Sequence, residues 1–251
     1  MNMTWSEICT KRCMRALSFV FTAMAAFLLF SAAGSARPQK EKKTGAAKSV
    51  FAADKGTLKI LLDGQPVGTE EFEITSSDNA WLARGSTDIH PGGAAPTRVK
   101  STLRLHPGGA PESYEWSFQG ERKAGAKVTF QDGIAKTTLQ FEQAKPFEQE
   151  LTFGSPMIAV LDNNVYHHYA VLARIYDWAK KGAQAFPVLI PQDMTPGTIT
   201  VEAGGSQTVG GKQFDTLKVT TADLEVRLFL DSNHRLMRLE VPASKVIVTR
   251  D

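Results

Sequence analysis

A chain of 251 residues that is 42% hydrophobic and 22% charged has the make-up of a globular protein. About 200 of its residues suit one β-rich domain, long enough to bury a core without staples. The net charge of +3 is unevenly placed: residues 1–36 carry Lys11, Arg12 and Arg15 against Glu7, and residues 37–48 carry five cations against Glu41. The remainder holds 21 cations against 24 anions, a charge of −3, which argues against nucleic acid as a partner.

The first segment reads as a secretory signal. Three cations precede an uncharged run from Ala16 to Ala33, and small residues follow as far as Ala36, the expected cleavage point. The run is also just long enough for an uncleaved membrane anchor. Cleavage delivers the domain to the periplasm or the medium. Both cysteines, Cys9 and Cys13, leave with the signal, so the mature domain has no disulfide, thiolate nucleophile or cysteine-ligated zinc. Residues 37–48 (RPQKEKKTGAAK) read as a basic, disordered linker. Membrane contact is expected only through the signal or this basic tail.

From residue 49 to 251 the pattern is that of one β-rich domain. Apolar and polar residues alternate over Thr57–Leu62, and Asp63-Gly64 signals a turn. Phe72 and Ile74 share the next strand face, and Trp81 opens a third strand. The loops HPGGAAP, from His90, and HPGGAP, from His106, bracket a strand with Val99, Leu103 and Leu105. Tyr114, Trp116 and Phe118 point one way, with Glu115 and Ser117 opposed. Val128 with Phe130, Leu139 with Phe141, and Phe147 with Leu151 and Phe153 continue the series.

The pattern changes at Pro156–Lys181. Val165, Tyr169, Leu172 and Tyr176 recur at helical spacing and predict a helix over about 163–181. Asp162, Asn163 or Asn164 caps it, and Gly182 stops it. Alternation then returns through Val188, Ile190, Ile199, Val201, Leu217, Val219, Leu224, Val226, Leu228 and Leu230, and ends with Met237, Leu239 and Val241 facing inward. The sum is roughly eleven to thirteen antiparallel strands in a curled half-barrel, with the helix covering the concave face.

Three stretches resemble uncharacterised bacterial periplasmic proteins whose fold is similar to the outer-membrane-lipoprotein carriers. They are Leu58–Gly68 (LKILLDGQPVG), Leu161–Tyr169 (LDNNVYHHY) and Leu228–Val241 (LFLDSNHRLMRLEV). The resemblance implies a half-barrel with an apolar concavity and brings no catalytic residues. A related resemblance is to the β-rich domains placed ahead of hydrolase domains in some exported enzymes.

No catalytic constellation stands out. A G-x-S-x-G elbow and a phosphate-cradling loop before a helix are missing. Glu70 and Glu71 fall on opposite faces of their strand. His167 and His168 point about 100° apart on a helix, which suits no shared metal, although Asp162 and Asn164 lie within reach of one of them. His90, His106 and His234 read as turn residues. No cofactor or metal is expected.

The candidate ligand site is aromatic: Tyr114, Trp116 and Phe118 on a strand, with Tyr166, His168, Tyr169 and Tyr176 on the helix. Three functions compete. The first is a periplasmic carrier or sensor holding a lipid or acyl chain in a sheet–helix cavity. The second is a non-catalytic envelope module with a filled core and a protein partner. The third is a hydrolase without a recognisable motif. The volume of the sheet–helix cavity separates the first two.

Overall fold

A computed structural model describes residues 49–251, apart from positions 91, 93, 94, 122 and 181. The expected signal and linker lie outside the described residues. The strands are β1 (Asp54–Leu62), β2 (Gln65–Ser77), β3 (Ala80–Ile89), β4 (Thr97–Leu105), β5 (Pro111–Gln119), β6 (Lys123–Gln131), β7 (Ile134–Phe141) and β8 (Phe147–Thr152). After β9 (Ala159–Val160) and the helix α1 (His167–Ile175) come β10 (Gln184–Ile190), β11 (Thr195–Val209), β12 (Lys212–Thr220), β13 (Glu225–Leu230), β14 (Leu236–Val241) and β15 (Val246–Arg250).

All fifteen form one curled sheet, in the order β8 through β1, then β15 through β9. The mainly β, single-helix architecture expected from the sequence is the one observed, with a few more strands. The chain meanders outward from β1 to β8, crosses to the opposite margin, and meanders back until β15 pairs with β1. This order forces the curl. Laid flat, the sheet would hold β8 and β9 roughly 65 Å apart at about 4.8 Å per strand. The link between them is only residues 153–158, which reach at most about 25 Å. The margins are therefore brought round towards each other, leaving a seam.

Alternation fills the interior from both halves. Leu58, Ile60, Ile74, Leu103 and Leu105 meet Leu217, Leu228, Leu230, Leu236 and Leu239 in one buried cluster. Asp63-Gly64 and Asp132-Gly133 turn their hairpins with positive φ at both positions, as expected for such pairs. At Leu230 the register with β14 slips by one residue. That bulge corrects one expectation: Leu236 is buried and Met237 only half-buried.

The helix is shorter than predicted. Asn164 adopts a left-handed φ of 59°, which no helix interior accommodates, so α1 starts only at His167. No side chain of its own segment caps it. It ends where Tyr176 turns extended, with the Trp178 indole donating to the Ala173 carbonyl at 3.0 Å. Gly182 lies beyond that stop. Six of the nine helical residues are buried, including both histidines, so α1 covers the inner face from within the core.

Candidate functional site

Glu70 is the residue that positions α1. On β2 it shares a face with Phe72 and Ile74, and all three side chains are buried. One carboxylate oxygen, Oε2, accepts the backbone N–H groups of Tyr166 and His167, both at 3.0 Å. The other, Oε1, lies 2.7 Å from His167 Nδ1. The helix N-terminus is thus capped from a strand 97 residues away, with an anion at the positive end of the helix dipole.

The ring of His167 needs space that the sequence supplies at Gly85. A Cβ there would lie 2.5 Å from two atoms of the imidazole. Phe72 stacks on the same ring at 5.9 Å, and the Arg250 guanidinium lies 5.2 Å from the Phe72 ring centre. Arg250 in turn pairs with Asp54 in a nearly buried bridge that ties the last strand to the first.

His168 lies edge-on to His167 at 4.8 Å and to Tyr114 at 5.2 Å. The Tyr114 hydroxyl donates to Asp162 Oδ2 at 2.6 Å. Asp162 Oδ1 accepts the backbone N–H groups of Asn163 and Gln192, both at 3.0 Å. Burial pushes the Asp162 carboxyl up to about 6, although these donors pull it down. Burial likewise raises the Tyr114 phenol, and it drives the His168 imidazole well below its usual value, helped by neighbouring His167. Both ring nitrogens of His168, and Nε2 of His167, have no hydrogen-bond partner among the described residues.

A histidine held by a carboxylate is the geometry of a general base. Here the His167 ring is fully buried. The space beside His168, between α1 and the strand residues Leu103, Leu105 and Val160, measures about 10 Å³. That is one water at most. The expected open concavity is closed at this point because Leu172, Val171 and Ile175 fill it.

The seven aromatic and histidine candidates therefore separate. Tyr114, His168 and Tyr176 are sealed in the interior. Tyr176 donates to the Gly182 carbonyl at 2.8 Å and meets Trp178 edge-on. Tyr166 and Tyr169 are half-buried at the rim of the core. Trp116 and Phe118 lie elsewhere, on the inner face of β5. His234, expected as a plain turn residue, stacks on Trp178 at 3.9 Å. Sequence reasoning missed Glu70, whose signal was a carboxylate in phase with Phe72 and Ile74.

Trp116 and Phe118 belong to a second region. Strand pairing puts Trp116, Ala126, Leu139 and Phe147 in one row, and Phe118, Ala124 and Phe141 in the next. Directly paired residues share a face, so these rows form one apolar floor. Its inner part is buried, but Phe141 is 48% exposed and Phe147 54%. Around Gly125 the same strands carry an open depression of about 520 Å³, bordered by Ser117, Gln140 and the Glu115–Lys127 ion pair.

No family model matches the chain, and no curated protein matches it. Two solved structures share its outline. One is a β-barrel-like protein of domain of unknown function DUF1849 from Brucella abortus, with a TM-score of 0.53 at 11% identity, covering 79% of this chain and 94% of that one. The other is a DUF1089-family protein from Pseudomonas aeruginosa, with a TM-score of 0.44 at 9% identity, covering 82% and 98%. At 11% identity the first likeness concerns the fold alone, and it supports a β-barrel-like fold.

Proposed function

We propose that the chain is an exported, non-catalytic binding protein of the cell envelope that engages an apolar target with the uncovered end of its sheet, β5–β8. The observation that carries this reading is a contrast in packing. The pocket beside His168, between helix and sheet, holds one water at most, while Phe141 and Phe147 stand exposed on a continuous apolar floor. Exposed large aromatics side by side are what a binding surface presents. The expectation of an apolar target is kept, and its place moves from the helix to the outer strands.

The test uses protein isolated from the envelope of its own producing cells. The expected result is a mass equal to the bare polypeptide, with a native complex in the envelope extract that is lost on Phe141→Ser with Phe147→Ser. A stoichiometric lipid that survives this double substitution would overturn the reading and restore interior carriage.

A further inference from the structure

We propose that β8 is a docking strand that takes an extended, cationic segment of a partner protein edge-on, adding it to the sheet. The proposal rests on the reading that the β5–β8 end is the working surface, and it names the partner.

Among the described residues β8 pairs only with β7. The Phe153 N–H bonds to the Gly133 carbonyl at 2.7 Å, next in register after Ile134 and Thr152. Antiparallel ladders alternate, so Phe147, Gln149 and Leu151 turn their backbone groups to β7. Glu148, Glu150 and Thr152 turn theirs to the free margin. Sheet margins are ordinarily blunted by charged side chains, proline, a bulge or brevity. The six residues Phe147–Thr152 (FEQELT) contain no lysine, proline or bulge, and their charges are the two acids Glu148 and Glu150. Four of the six are exposed.

The side chains say what fits. On the outer face β8 presents Glu148 and Glu150, and among the described residues only Glu150 is paired with a cation, Lys136 at 3.2 Å. On the inner face it presents Phe147 and half-buried Leu151, continuing the apolar floor. A strand with lysine or arginine on one face and apolar residues on the other complements both. A second copy of the chain does not. Antiparallel pairing of β8 with itself about Gln149 sets Glu148 against Glu150 twice, like charge against like.

The experiment titrates the full chain with a labelled eight-residue peptide alternating lysine and valine, read by fluorescence anisotropy at low salt. Saturable binding is expected, with hydrogen exchange slowed at the Glu148, Glu150 and Thr152 amides. A glutamate–valine peptide, and a lysine–valine peptide methylated on alternate backbone nitrogens, are each expected to bind at least tenfold more weakly. Glu150→Pro removes one outward N–H and leaves the ladder to β7 intact, so it weakens binding at least tenfold with Tm unchanged. Glu150→Lys tests the charge separately and is expected to weaken binding by a similar factor. No binding, equal binding of the methylated peptide, or a chain that sediments as a β8-linked dimer would each overturn the proposal. Loss of the envelope complex in the Phe141→Ser, Phe147→Ser protein but not in Glu150→Pro would sink edge pairing alone and leave the binding surface standing.

Discussion

At one margin of the sheet β9 offers two residues, Ala159 and Val160, both buried, and its parallel pairing with β10 begins only at Val188, after Pro187, which has no N–H to give. At the other margin β8 offers six residues, mostly exposed, on a strand without lysine, proline or bulge. The connection of residues 153–158 brings these unlike margins round to one seam. α1, which follows β9, is anchored inside by Glu70, and nothing comparable among the described residues covers Phe141 and Phe147. The difference teaches where a closed fold keeps its stability and where it keeps its reactive surface. A buried carboxylate with both oxygens partnered fixes the helix, and backbone groups without a partner among the described residues and aromatic surface are left at the opposite margin.

The sharpest way to break this comparison is at Glu70. Glu70→Ala strips two helix N–H groups and His167 of their buried acceptor. The expected loss is about 3–5 kcal/mol, or a Tm fall of roughly 10 °C, read by thermal unfolding. Gly85→Ala pushes a methyl into the His167 ring and is expected to cost about 1–3 kcal/mol, visible in the urea midpoint.

His168 sharpens the comparison through pH. Below about 6.5 the unfolded chain takes up a proton at this histidine that the fold refuses, so the residue removes stability as pH falls through that value. Asp162 acts in the opposite sense. Its folded carboxyl protonates near 6, ahead of the unfolded one at 3.8, and returns some stability as the solution is acidified. His168→Phe keeps the edge contacts with Tyr114 and His167 and deletes the refused proton. Its stability relative to the parent is expected to rise by about 1.4 kcal/mol between pH 7.5 and 5.5. A constant difference across that range would show that His168 does not titrate on unfolding. The smallest stability effect is expected at the working margin: Phe141→Ser with Phe147→Ser should shift stability by no more than about 0.5 kcal/mol per site while abolishing the envelope complex.

Much of the fold was legible because its strands are half-buried and obey a period of two. Tyr114, Trp116 and Phe118 opposed to Glu115 and Ser117 lie as the alternation predicts. What escaped was set by contacts distant in sequence. The cap of α1 comes from β2, so no local motif announces it, and the nearby Asp162 serves Tyr114 instead. The bulge that buries Leu236 depends on the register with β13. Strand β15 is marked by little more than Val246 and Val248, and it matters because it closes the sheet against β1. The aromatic residues of β5 face inward as their alternation predicts, but alternation cannot say which part of an inner face a short helix will cover. Tyr114 is covered and Phe141 is not.

Hydrogen exchange on the full chain tests the central contrast most directly, because it reads both regions in one experiment. The Tyr166 and His167 amides, bonded to Glu70, are expected to exchange only through global unfolding, and the Glu148, Glu150 and Thr152 amides at rates close to those of an open chain. Helix amides that exchange as fast as those of β8 would contradict the account, because α1 would then be a lid over an openable cavity.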